Sequence, residues 1–236
     1  MDALVVSRMV DGRPEIFASV QGEGVSMGVP STFVRLAICN LRCGWCDTAY
    51  TWDWERFDRA AATMRMTPGE VGDAVRALSP RNVVFTGGEP LLQRRQLVPL
   101  VEELVAGGYR LEVETNGTVA PGPLAGLIDQ FNVSPKLAHS GNVGLRRLVP
   151  EALRALVATG KAWFKFVVAE PDDLAEVREV CALAGVEPGR VVLMPEGTTA
   201  ATLNERGRWL AEMCAGEGYR FGTRLHILLW GDRRGV

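Results

Sequence analysis

Ser31-Thr32-Phe33-Val34-Arg35-Leu36-Ala37-Ile38 runs directly into Cys39-Asn40-Leu41-Arg42-Cys43-Gly44-Trp45-Cys46. The first half, rich in apolar and β-branched residues, reads as a strand. The second half packs three cysteines into a tight loop. Chemistry placed just after a strand recurs along the chain. Asn82–Phe85 leads into Thr86-Gly87-Gly88-Glu89-Pro90, and Arg110–Glu114 into Thr115-Asn116-Gly117. Gln130–Val133 leads into Ser134-Pro135-Lys136, and Arg190–Leu193 into Met194-Pro195-Glu196-Gly197. Glu15–Val20, Trp163–Val168 and Arg224–Trp230 are further β-like runs. Helix-like segments separate several of them. Thr67-Pro68-Gly69-Glu70 is a capping box with Pro at the first helical position, opening a helix to about Leu78. Leu91–Ala106 stops at Gly107-Gly108, and Pro150–Ala158, Asp172–Ala184 and Thr199–Ala215 complete the set. Such alternation builds right-handed βαβ units and a mostly parallel sheet, hence an α/β fold. The sheet is either doubly wound or curled into a whole or partial barrel. Both put ligands at the carboxyl ends of the strands.

Composition narrows the class. The 236 residues are 47% apolar and 23% charged, a globular balance with enough chain for a sizeable core. No repeat, charge block or linker divides them, so one domain over 1–236 is expected. The net charge of −2 carries no signature of nucleic-acid binding. No apolar run is long enough to span a membrane, and Met1–Val10 contains Asp2, Ser7 and Arg8, unlike a signal peptide. A cytoplasmic location is expected. Five cysteines, three of them clustered, suit a metal or cofactor site better than a disulfide framework.

The cluster itself is C-x3-C-x2-C. Structural zinc takes four ligands, and only His139 or His226 could complete the set. An iron–sulfur cluster held by three thiolates leaves one iron open for a chelating ligand. Other residues read by strand parity. Arg35 lies opposite Val34, Leu36 and Ile38, so it faces a lumen if the apolar face packs on helices. There it would grip a carboxylate bidentately or join a structural ion pair. Glu112 and Glu114 share a face and need partners, either a ligand or a structural pairing. His139 reads as a surface or loop histidine; His226 is either a core histidine or a pocket residue. Cys181 and Cys214 sit on apolar helix stripes as small core residues.

The cysteine spacing, with an aromatic residue before Cys46 and Gly87-Gly88-Glu89-Pro90 downstream, resembles the signature of the radical S-adenosylmethionine enzymes. Ser19-Val20-Gln21-Gly22-Glu23-Gly24, Gly28–Leu36, Cys46-Asp47-Thr48, Glu114-Thr115-Asn116-Gly117, Ser134-Pro135-Lys136 and Arg224-Leu225-His226 extend the likeness to the 7-carboxy-7-deazaguanine synthases. The resemblance covers roughly residues 15–236. It departs at Ile38, where Gly is usual, and at Ile227, where Lys often follows His.

That resemblance implies a partial (βα) barrel. It implies that Cys39, Cys43 and Cys46 hold a 4Fe–4S cluster, with Thr48 as the protein ligand of Mg2+. By the same likeness Trp45, Asp47, Gly88, Glu89, Glu114, Ser134, Pro135, Lys136, Met194, Pro195, Glu196 and Gly197 lie toward S-adenosylmethionine. Val20, Gln21, Gly22, Arg35, Thr86 and Val236 lie toward a 6-carboxytetrahydropterin, whose ring is contracted with loss of ammonia. No side chain is required as a general base. A flavodoxin or ferredoxin would supply the electron, and the chain would be a homodimer. Two other readings stand beside this one: an activating enzyme that makes a glycyl radical on a protein partner, and a zinc-stabilised binding module.

Overall fold

The computed structural model describes residues 3–236; Met1 and Asp2, at the head of the Met1–Val10 stretch, lie outside the described residues. The strands are β1 (Leu4–Ser7), β2 (Ile16–Val20), β3 (Pro30–Leu36), β4 (Thr63–Met66), β5 (Asn82–Gly87), β6 (Arg110–Thr115), β7 (Gln130–Val133), β8 (Ala162–Val168), β9 (Val191–Pro195) and β10 (Arg220–Phe221). The helices are α1 (Arg59–Ala62), α2 (Pro68–Arg76), α3 (Arg94–Ala106), α4 (Gly144–Arg147), α5 (Pro150–Val157), α6 (Asp173–Ala184), α7 (Ala200–Glu217) and α8 (Leu225–Trp230).

Strand order decides between the two sheet architectures. It runs β10-β9-β8-β7-β6-β5-β3-β1-β4, with β2 paired beside β3. From β3 through β10 every pairing is parallel and in chain order. Right-handed crossovers that always step the same way leave every helix on one face. There is no reversal point, so the sheet is not doubly wound. It is a partial barrel whose other face is the lumen. β1, β2 and β4 extend it by antiparallel pairing at the β3 side.

Side-chain parity then sorts the two faces. Val34, Leu36, Val83, Phe85, Leu111, Val113, Phe131, Val133, Phe164, Phe166, Val191 and Leu193 pack under the helices as the main core. Cys181 of α6 and Cys214 of α7 are buried members of it, as their apolar stripes predict. Burying each Leu, Val or Phe contributes about 1.5–3 kcal/mol, and this layer anchors the strands whose opposite edges build the site.

The helices begin and end largely where the sequence places them. Thr67 and Glu70 form the reciprocal capping box of α2. Residues Pro90–Gln93 form a single 3-10 turn before α3, so that helix starts three residues later than expected. Between β6 and β7 a 3-10 turn at Gly122–Leu124 replaces a crossover helix. The expected strand at Arg224–Trp230 is instead helix α8. The sheet has already ended at Phe221. The segment turns back across the barrel mouth, where Leu225 N donates to Gly22 O at 2.8 Å. Short strands β1, β4 and β10 carry too little apolar alternation to show in the sequence.

Candidate active site

The lumen face is polar where it should be costly. Arg35 of β3, Thr86 of β5, Glu114 of β6, Asn132 of β7 and Lys165 of β8 all line a cavity of about 230 Å³ at the carboxyl ends of the strands. The register places Arg35 beside Thr86 and Glu114 beside Asn132, so the residues form a row across neighbouring strands. Below that row Glu112 is fully buried. It accepts from Asn82 Nδ2 at 3.1 Å, Gln130 Nε2 at 3.2 Å and Asn132 Nδ2 at 2.8 Å, and pairs with Arg110. It closes the barrel floor; Glu114, one pleat higher, faces the cavity.

Arg35 joins a structural ion pair. Its Nε donates to Glu15 Oε1 at 2.9 Å. Among the described residues Nη1 and Nη2 donate to none, and the side chain borders the cavity. Burial would lower its pKa, but Tyr50, Glu15 and Asp47 outweigh that and raise it, so it stays charged. The carboxyl of Glu15 is opposed by burial, yet Arg35 and Arg234 hold it below its ordinary value.

The loop after β3 carries the three thiols. Cys39, Cys43 and Cys46 all border the cavity. Burial pushes the Cys39 thiol up to about 12 and raises Cys43 as well, so metal binding there would displace protons. Among the described residues no three His, Cys, Asp or Glu side chains close on one point, as a single zinc ion would require. Trp45 is fixed by His139, whose Nδ1 accepts from Trp45 Nε1 at 3.0 Å while its Nε2 lies 3.1 Å from Val167 O. His139 is therefore neither a metal ligand nor a plain surface residue; it braces the loop.

The expected residues divide. Val20, Gln21, Gly22, Thr86 and Val236 border the cavity, as do Trp45, Asp47, Thr48, Gly88, Glu114, Ser134, Lys136, Met194, Glu196 and Gly197. Glu89, Pro135 and Pro195 do not. Glu89 is fully buried and accepts from Leu91 N at 2.9 Å, Asn116 N at 2.7 Å and Thr115 Oγ1 at 2.8 Å. Its Oε1 accepts two of these bonds and its Oε2 one. Burial raises its pKa, and those donors offset only part of the effect.

Strand parity also points to one residue that the motifs leave out, Lys165. Lys165 shares a face with Trp163 and Val167, and it pairs with Glu23. Arg224 donates to Glu23 Oε1 at 3.1 Å and Gly197 O at 2.8 Å and pairs with Asp47. Burial works against the ionised form of Glu23, but Lys165 and then Arg224 hold its carboxyl well below the usual range. His226 lines the cavity, and burial lowers its pKa despite Glu23 nearby. Strand parity could have found Lys165; Glu23, Arg224 and His226 lie within the motifs quoted above, on a loop and a helix entry where parity gives no signal, and His226 takes the pocket alternative.

Comparison with known proteins agrees with this geometry. Residues 34–137 match the model of the radical SAM superfamily. The chain is 42% identical to a 7-carboxy-7-deazaguanine synthase of Pyrobaculum aerophilum, over 94% of this chain and 95% of the relative. The chain belongs to the 7-carboxy-7-deazaguanine synthase family. A relative in Halobacterium salinarum is 39% identical over 92% of this chain and 90% of its own. The fold matches the crystal structure of QueE from Escherichia coli with a TM-score of 0.72 at 24% identity, covering 95% of each chain.

Membership brings a 4Fe–4S cluster and S-adenosylmethionine, and the residues fit them. Three cavity-facing thiols can hold three irons and leave one open. Beside them Lys136 Nζ lies 3.0 Å from Ser134 Oγ and 5.4 Å from the centre of the Trp45 ring, a cationic and polar wall for a carboxylate. Among the described residues no helix is long and apolar enough to cross a membrane.

Proposed function

We propose that the chain converts 6-carboxy-5,6,7,8-tetrahydropterin to 7-carboxy-7-deazaguanine with loss of ammonia, as a lyase of deazapurine biosynthesis. The observation that carries this reading is Arg35: a half-buried guanidinium that borders the same cavity as the three thiols, with neither terminal nitrogen hydrogen-bonded among the described residues. Its fork matches a carboxylate. Val20, Gln21, Gly22, Thr86 and Val236 enclose the rest of the pterin. Asp47, Gly88, Glu114, Ser134, Lys136, Met194, Glu196 and Gly197 form the wall for S-adenosylmethionine, with Trp45 closing over it. Cleavage of that cofactor, when bound at the cluster, supplies the radical. The protein's part is to hold pterin and cofactor in register and to keep water out.

Thr48 is the proposed Mg2+ ligand. Thr48 borders the cavity, and its hydroxyl lies 3.6 Å from Cys46 Sγ. Asp47 beside it is paired with Arg224, so Thr48 brings one oxygen and the substrate supplies others. Residues 1–236 act as one domain, in the cytoplasm and as a homodimer, reduced by a flavodoxin or ferredoxin, with no nucleic acid or membrane as partner. The identity to full-length synthases favours this reading over a glycyl-radical activating enzyme.

Arg35→Lys keeps the charge and loses the fork. It should weaken pterin binding at least tenfold, a loss of about 1.4 kcal/mol, while cofactor cleavage without substrate persists. Calorimetric titration of pterin and product analysis by chromatography check both. Normal pterin affinity in Arg35→Lys would show that the carboxylate is held elsewhere.

A further inference from the structure

Each of the three cluster sulfurs faces an N–H group. Leu41 N lies 3.4 Å from Cys39 Sγ, a contact internal to the loop. The other two come from side chains with no role in the reading above. Asn142 Nδ2 lies 3.3 Å from Cys43 Sγ, and Trp52 Nε1 lies 3.3 Å from Cys46 Sγ. Asn142 reaches across from the segment after β7. Its orientation is fixed, because its Oδ1 accepts from Arg42 N at 2.9 Å and so turns the amide hydrogens toward the sulfur. The Trp52 indole also borders the cavity. Trp45, the loop's other indole, is spent on His139 and leaves Trp52 as the indole donor to sulfur.

We propose that Asn142 and Trp52 are positioning residues that set the reduction potential of the cluster held by Cys39, Cys43 and Cys46. The proposal rests on the family's cluster occupying these thiols. Reduction adds an electron, and negative charge spreads onto the thiolate sulfurs. An N–H aimed at such a sulfur stabilises the more negative state and raises the potential. Removing it makes the cluster harder to reduce. Because one donor acts on Cys43 and the other on Cys46, their effects should add.

The test uses anaerobically reconstituted full-length protein, with iron measured and the reduced cluster followed by electron paramagnetic resonance in a redox titration, without S-adenosylmethionine. Trp52→Phe keeps the ring and loses the N–H. Asn142→Asp keeps the acceptor for Arg42 N and replaces the donor by an anion. Each should lower the reduction equilibrium constant about tenfold, which for one electron is a shift of about 59 mV to lower potential, at wild-type iron content. The double variant should shift by about the sum. Midpoints unchanged from wild type overturn the proposal. So does loss of iron in both variants, which would mean that these groups hold the cluster rather than tune it. A wild-type chain that takes up no iron fails the cluster assignment itself, and is distinguished by its iron analysis.

Discussion

Ile38 sits at φ 76°, the one non-glycine residue with positive φ among those described. A β-branched side chain there is a strained choice. The backbone is pinned on both sides: Ile38 N donates to Thr51 O at 2.7 Å, and Ile38 O accepts from Glu89 N at 2.8 Å. The loop entering Cys39 therefore needs a left-handed residue whatever occupies it, and the family's usual glycine is explained by geometry. Comparing Ile38→Gly with Ile38→Ala isolates the strain, since both remove the side chain. Ordinarily Gly is the less stable of the two by roughly 0.5–1 kcal/mol. Here the left-handed cost of roughly 1–2 kcal/mol falls on Ala, so Ile38→Gly should be more stable by about 1 kcal/mol in urea unfolding. Ala equal to or above Gly would mean that the loop is not held left-handed. The departure at Ile38 is legible in the sequence as an oddity; its φ is not, because the pinning partners Thr51 and Glu89 lie far along the chain.

At the level of elements, the Gly87-Gly88-Glu89-Pro90 segment reads correctly from sequence as close to the site, but for an incomplete reason. Glycine there suggests close approach of a ligand to the backbone. The closer neighbour is another strand end. A Cβ on Gly87 would stand 1.9 Å from Leu36 O, and one on Gly88 2.1 Å from Ile38 O. Gly88 N donates to Leu36 O at 2.9 Å across that gap. The glycines let the end of β5 press on the end of β3, which sets Cys39 against the strand-end turns of β5 and β6. Gly88→Ala should therefore cost about 3 kcal/mol, the top of the usual range for overpacking, because backbone cannot swing aside as a side chain can. Gly69→Ala, in α2 with nothing within 4 Å, should instead stabilise by about 0.5–1 kcal/mol. Urea midpoints read both; a mild Gly88→Ala would show that the two strand ends can part. Motifs at strand ends and the parity of Arg35 and Glu114 are readable because both depend on local order. The Leu225–Trp230 helix is not. Its alternating Leu225, Ile227 and Leu229 mimic a strand, whereas in the fold the segment docks on Gly22 as a helix.

Across the whole molecule, charge ties the last elements to the first. Glu23, on the loop after β2, is held by Lys165 of β8 and Arg224 before α8. Glu15 is held by Arg35 of β3 and by Arg234, which also lies over the Tyr50 ring at 3.6 Å. The cavity is thus completed only when the C-terminal segment returns to the N-terminal loop, and no local stretch of sequence could show this. Glu23→Gln would leave Lys165 without its anion and Arg224 with Asp47 alone. Breaking a buried pair costs roughly 3–5 kcal/mol. Glu23 keeps a side-chain exposure of 16%, so the low end, about 3 kcal/mol, is expected. By contrast, Glu217→Gln removes the partner of Arg178, which is 54% exposed. That change should leave the urea midpoint within error, as surface pairs usually do. The sign with pH comes from the lowered carboxyl of Glu23. A folded-state value below the unfolded one gives stability that is complete above the unfolded value of 4.5 and lost as pH falls below it. The gap between wild type and Glu23→Gln should therefore stay constant at neutral and alkaline pH and narrow in acid. A gap no larger than that of Glu217→Gln at neutral pH would show that the Lys165 and Arg224 contacts do not hold the two ends of the chain together.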